Sequence, residues 1–355
     1  MTLTNGGRRR AAAPQRTTGR IAAIDIARGF AIIGMFLAHT MPNPDDAELL
    51  VEGRSSVLFA TLAGVSLGLM TGGARRVDRD RRGAMRMTVL IRGLLLLVLG
   101  LLLWTLEHGV AIILDYYGVM FLCLIPLLFA SRAVLTAVGV ALLAVAPWLA
   151  GVVNQQLPPG RSVFGLDWFL TGYYPVLVWL PLLIGGLIAA RSGLTRRKTQ
   201  VIITLAGITG MVAGYGAAWV IPGVSAEAHS STLAEILGSG GFAFTVIGLL
   251  LLVTAPQNGA IGRGIRGILW PIGAAGSMPL TLYTAQILGI SAAFGITRNS
   301  TLDGVIDDLG WALPVILVAG GLLFASLWRA LLGAGPLERL MRLASVAPGT
   351  DRPGH

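Results

Sequence analysis

The stretch IDIARGFAIIGMFLAHT, residues 24–40, carries three side chains that can do chemistry: Asp25, Arg28 and His39. It is apolar enough to sit in a membrane, where an ionisable group costs roughly 2.5–3.5 kcal/mol and therefore faces the bundle with a partner. Arg28 and His39 are eleven residues apart. On a helix that separation is about 20° from three full turns and about 16 Å along the axis, so the two share a face. Asp25 lies on the same side, and the stripe reads Asp25, Arg28, Ile32, Met35 or Phe36, His39. An arginine holds phosphate, and an imidazole acts as a general base or carries an acyl group itself. A simpler reading makes Asp25 and Arg28 an ion pair anchoring a helix end, and His39 an interfacial residue bonded to a neighbour.

Other candidates extend the set. Arg92, in VLIRGLLLLV, repeats the Arg28 pattern at similar depth; one such arginine is explained by snorkelling to headgroups, while two are expected to form a pocket for a phosphate-bearing ligand. Asp115 is a candidate orienting partner of His39, because a histidine base usually has one and Asp115 lies at a matching depth; the simpler reading bonds it to Tyr116, Tyr117 or a water. Tyr116, Tyr117, Tyr283 and Gln286 are the expected substrate-binding groups. Glu107 with His108 is a rival dyad more simply explained as a short exposed loop, while His229 and His355 read as incidental. Gly64 and Gly68, four apart, read as close-packing residues. No histidines and carboxylates cluster at metal-ligand spacing, so no metal is expected.

The elements that must position these residues are apolar helices. Of 355 residues, 54% are hydrophobic and 12% charged, against about 25% charged in a soluble domain. The composition excludes a soluble enzyme and predicts an all-α, polytopic membrane bundle. Ten apolar segments, near 21–40, 55–73, 87–106, 110–130, 133–151, 173–190, 199–221, 238–255, 267–290 and 310–332, are expected to span. The loops order themselves by charge. One side holds the run 75–86, Arg132, the stretch 191–198, Arg263, Arg266, Arg339 and Arg342. The other holds only Arg54, Arg161 and Arg298, beside Asp45, Asp46, Glu48, Asp303, Asp307 and Asp308. By the positive-inside rule both termini are cytoplasmic. Residues 1–20 are then a disordered basic tail, 21–332 one transmembrane domain and 333–355 a C-terminal tail. Loops 152–172 and 222–237 are long enough to lie over a site. The net charge of +10 is scattered over short loops, which suits anionic headgroups rather than nucleic acid. The lone Cys123 rules out an internal disulfide.

The pattern from Arg20 to His39, R-x-x-x-I-D-I-x-R-G-F-A-I-x-G-M-x-x-x-H, resembles the opening of the heparan-alpha-glucosaminide N-acetyltransferase catalytic-domain family and its bacterial relatives. LFATLAGVSLGL, residues 58–69, is similar to the family's second helix, F-x-x-L-x-G-x-S-x-G; ILDYYGVMFL and GSMPLTLYTAQILGI resemble segments of related bacterial membrane proteins. The resemblance implies acyl transfer across a membrane. The donor would be cytoplasmic acetyl-CoA or another acyl-CoA, and the acceptor an extracytoplasmic sugar or glycolipid. His39 would take the catalytic role and Arg28, with Asp25 beside it, the CoA-binding role. In the heparan-modifying members the reactive histidine lies further on, entering the second helix; here that segment, PNPDDAELLVEGRSS, has none.

The expectation is therefore an acyl-CoA-dependent acetyltransferase of the inner membrane, surrounded by lipid, with a homodimer among its expected assemblies. An apolar channel from Arg28 to His39 would carry the pantetheine arm and keep water from the thioester. The rival is a proton-coupled transporter with Asp25, Arg28 and His39 as relay; the third reading is a non-catalytic scaffold.

Overall fold

The computed structural model describes residues 21–43, 51–158, 163 and 165–345. The basic tail 1–20, Asp45, Asp46, Glu48, Arg161 and His355 lie outside them. Among the described residues the chain is helical with no strand. The helices are α1 (Ala22–Ala38), α2 (Arg54–Met70), α3 (Arg79–Leu103), α4 (Leu114–Leu124), α5 (Arg132–Gln156), α6 (Val176–Ser192), α7 (Arg197–Val220), α8 (Leu233–Val253), α9 (Gly259–Ile268), α10 (Trp270–Ala275), α11 (Pro279–Thr297), α12 (Leu302–Leu309), α13 (Ala312–Leu331) and α14 (Pro336–Ala344).

Six of these, α3, α5, α7, α8, α11 and α13, are long and apolar enough to cross a membrane; α2, α4 and α6 are shorter apolar helices. Their packing follows from composition. α1, α2 and α6 are apolar nearly all round and form the centre, with Trp179, Leu62 and Ile26 fully buried. α3, α5, α7 and α13 leave wide apolar faces outward, among them Leu102, Val140, Trp219 and Ile316. Such a surface is stable only against lipid. Gly64 stands against the Leu183 carbonyl and Gly68 against Ala190, so α2 and α6 meet nearly backbone to backbone.

The ninth apolar segment departs from the expected single span. It begins as α9 ends and breaks into α10 and α11, because Pro279 disfavours helix at Met278 and restarts one at its own position. The restart is capped by a residue from the expected tail. Glu338 on α14 accepts from the Leu280 and Thr281 amides at 2.7 and 3.2 Å and from Thr281 Oγ1 at 2.6 Å. A carboxylate there meets the unpaired amides and positive end of α11. Residues 336–344 are thus part of the fold.

Candidate functional site

α1 is set against α10 by two glycines. A Cβ on Gly29 would stand 2.0 Å from the Ile272 carbonyl oxygen, and one on Gly276 1.8 Å from that of Asp25. This close crossing brings the Gly276 carbonyl to Arg28. Arg28 Nη1 donates to it at 2.9 Å and to Asp25 Oδ1 at 3.1 Å, while Nη2 donates to Ser66 Oγ at 2.9 Å. A cavity of about 580 Å³ opens beside this guanidinium, lined also by Asp25, Ser66, Arg75 and Thr195. It lies at the arginine-rich end.

Eleven residues along α1, His39 forms the helix C-cap. Its ring faces α11, as the shared stripe requires: Gln286 Nε2 and His39 Nδ1 are 3.0 Å apart, and the same Nε2 donates to the Met35 carbonyl at 3.4 Å. A carbonyl only accepts, so the amide nitrogen is pinned toward it. Nδ1 then accepts, and a neutral ring keeps its proton on Nε2.

His39 lines a cavity of about 210 Å³ at the far end, together with Ser55, Ser56, Tyr173, Tyr174 and His229. His229, dismissed on sequence, is its second imidazole. It comes from the expected loop 222–237, of which residues 233–237 are already helix α8. Thr232 and Glu235 build this loop as a capping box at the start of α8. Thr232 Oγ1 accepts from the Glu235 amide at 3.0 Å, and the carboxylate reaches back to the amides of His229 and Ser231, each at 2.7 Å. Those bonds hold His229 and Ser231 at φ of 61° and 56°, a region costing a non-glycine residue about 1–2 kcal/mol. The imidazole packs on the Tyr173 ring at 4.0 Å between centroids, with Tyr174 and Trp179 around it. Its Nδ1 is 3.3 Å from the Tyr173 carbonyl oxygen, so Nδ1 donates and Nε2 carries the free lone pair. Burial pulls its pKa down to about 4, the bond to Tyr173 opposing. At neutral pH it is uncharged. The two rings are thus held in opposite tautomers, His39 with Nε2–H and His229 with a bare Nε2.

The other expected residues are placed elsewhere. Asp115 is not beside His39: its Oδ2 accepts from Trp168 Nε1 at 3.0 Å. The indole comes from a π-helical turn, Asp167–Thr171, that enters the bundle; Gln286 takes the role expected of Asp115. Arg92 does not join Arg28. Its Nε donates to Ser345 Oγ at 3.1 Å, just past α14, and it does not line the Arg28 cavity. Tyr116, Tyr117 and Tyr283 stand behind the cavity wall. Tyr116 packs edge-on to Tyr174, Tyr117 donates to the Ser56 carbonyl at 3.3 Å, and Tyr283 Oη accepts from the Ile113 amide at 3.3 Å. His108 is buried, with Nε2 donating to the Leu103 carbonyl and Nδ1 accepting from Val110, so both nitrogens serve the loop. The cavities at Arg28 and His39 share no lining residue, and buried Ile32 and Phe36 lie between. The expected continuous channel is therefore closed here.

Residues 20–217 match the sequence model of Heparan-alpha-glucosaminide N-acetyltransferase, catalytic. The chain belongs to this family. The matched span holds α1 to α6 and most of α7, and with them Arg28, His39, Arg92 and Asp115; His229 and Gln286 lie beyond it. Membership gives the chain the class of a transmembrane acetyltransferase, and its apolar helices make it a multi-pass membrane protein. Among curated proteins none matches the chain.

Proposed function

We propose that the protein transfers an acetyl group from acetyl-CoA, bound at the arginine-rich end, to a sugar or glycolipid at the far end. In this reading ten segments cross a bacterial inner membrane with the arginine-rich end cytoplasmic. The carrying observation is the shared cavity of His39 and His229, two imidazoles held in complementary tautomers. The acceptor hydroxyl or amine attacks the thioester carbonyl and gives its proton to His229 Nε2. The oxyanion accepts a hydrogen bond from His39 Nε2–H. Collapse breaks the C–S bond, and the proton on His229 passes to the leaving thiolate. Acyl-donor phosphates bind at Arg28 and Arg75, which line the cavity nearest the cytoplasmic CoA pool. The pantetheine arm must open a path past Ile32 and Phe36, about 16 Å along α1.

The test is incubation of the purified protein with radiolabelled acetyl-CoA and a panel of sugars and lipid-linked sugars. Label is expected on an acceptor, with free CoA released in equal amount. If proteoliposomes instead move a labelled solute intact and no acceptor gains acetyl, the transporter reading replaces this one.

A further inference from the structure

A third cavity belongs to neither end of the α1 stripe. It is an elongated groove of about 680 Å³ on the lipid-facing side, between α5 and α7, with α6 and α8 as its floor. Its walls are apolar, from Leu143, Pro181, Gly185, Ile202, Ala206 and Phe244. Its polarity is confined to the arginine-rich end. There Arg132 opens α5, Arg196 and Lys198 flank the first residue of α7, and the hydroxyls of Ser192 and Thr199 sit among them. The three cations are exposed, and among the described residues none of them makes an ion pair. Arg132 has one long contact, Nη1 to Ser192 Oγ at 3.4 Å.

The dimensions decide what fits. From Lys198 to Gly210, both lining the groove, α7 rises about 18 Å. One leaflet is about half of a 30 Å hydrocarbon core. The groove therefore starts at the headgroup level and ends near the midplane. An occupant needs negative charge at one end and an apolar body one leaflet long. A soluble anion leaves the apolar length uncovered, and a neutral lipid leaves three cations unmatched.

We propose that this groove binds an anionic diacyl phospholipid from the leaflet on the arginine-rich side. Its phosphate lies at Arg132, Arg196 and Lys198, and one acyl chain lies between α5 and α7. The inference does not depend on the acetyltransferase mechanism.

Native mass spectrometry of the full chain, delipidated in detergent and then given dioleoyl phosphatidylglycerol or dioleoyl phosphatidylcholine, tests it. Each near-surface cation favours an anionic headgroup by roughly fivefold, so the wild type should retain the glycerol lipid at least about tenfold better. Arg132→Gln/Arg196→Gln/Lys198→Gln should bring the two lipids to equal retention. A control, Arg76→Gln/Arg79→Gln/Arg81→Gln, removes three exposed cations from the same end and should keep the preference. Ala206→Trp, which fills the groove, should reduce retention of both lipids. If the triple variant does not fold, Lys198→Glu alone carries the charge test, with roughly a tenfold fall in preference. The idea is overturned by equal retention in the wild type, or by an equal loss in the control triple. Displacement by glycerol phosphate as effective as by the lipid would make this a free-anion site. A change of oligomeric mass in Ala206→Trp with lipid retention unaltered would make it an interface between copies.

Discussion

The two ends of the α1 stripe are built from opposite materials. At Arg28 a guanidinium lies in a cavity of about 580 Å³, already committed to Asp25, Ser66 and the Gly276 carbonyl. At His39 the cavity is about 210 Å³, and its two imidazoles are each fixed by a neutral group, an amide for one and a carbonyl for the other. The first arrangement sets Arg75 beside the Arg28–Asp25 ion pair, and the remaining positive charge suits holding an anion. The second presents a donor and a lone pair on two uncharged rings, with the carboxylates of Glu52 and Asp303 also lining the cavity, which suits moving a proton. On the proposed function, binding and chemistry are separated along one helix, and mutations at the two ends should fail in different ways.

The sharpest test of that separation is His39→Ala. Loss of one oxyanion donor costs about 10²–10³ in turnover, so acetyl transfer should fall by at least that much. Donor affinity, read by equilibrium dialysis with labelled acetyl-CoA, should stay within about threefold. Equal losses in transfer and donor binding would merge the two ends into one site. His229→Gln should cost as much, since removal of a general base costs roughly 10²–10⁴. It also has a pH signature. The working form is the neutral ring, and the pKa is held down to about 4 by burial, so wild-type activity should fall only as pH drops through about 4. An acid limb near 6.5, the ordinary histidine value, would remove His229 from the reaction. The same shift bears on stability: the unfolded chain takes up this proton first, so stability declines between about 6.5 and 4 as pH falls.

How far the sequence foretold this contrast depends on what holds each residue. Arg28 and His39 were legible because both sit on one uninterrupted helix, where spacing alone fixes the face. The apolar segments were legible because lipid leaves little choice of pattern. Gln286 was visible as a polar residue at the right depth, but its pairing with His39 depends on the register of α11 against α1. That register follows from the Gly29–Gly276 crossing and the break at Pro279, which are tertiary facts. Asp115 pairs with Trp168 instead because depth along a helix does not specify azimuth. His229 reads as an ordinary loop residue, yet Thr232-x-x-Glu235 marks a capping box that orders the loop before it. α14 was hidden because a nine-residue amphipathic helix after the last span looks like any polar tail.

Smaller effects refine the same division. Arg28→Gln should weaken donor binding by about tenfold, the scale of a charge-assisted hydrogen bond to phosphate, with turnover at saturating donor changed far less. A parallel fall in turnover would mean that the arginine reaches the reacting atoms. Gln286→Leu removes the group that sets the His39 tautomer; loss of such an orienting partner costs roughly 10-fold or more. That loss should appear in kcat with donor KM unaltered, and Gln286→Glu should restore activity only in part, because a carboxylate draws the ring proton to Nδ1.

Arg92→Gln should have the least effect on catalysis, and for that reason it tests where the donor site ends. A pocket shared by Arg28 and Arg92 would make the two variants alike in donor KM. Arg92 instead donates to Ser345 beside α14, whose Glu338 caps α11. The expected outcome is unchanged donor KM within about twofold, together with faster proteolysis after residue 333 as α14 loosens. The chain of contacts from Arg92 through α14 to the start of α11 runs toward Gln286, so a modest fall in kcat is expected with it. A rise in donor KM matching that of Arg28→Gln would return Arg92 to the phosphate site and extend the arginine-rich cavity across α3.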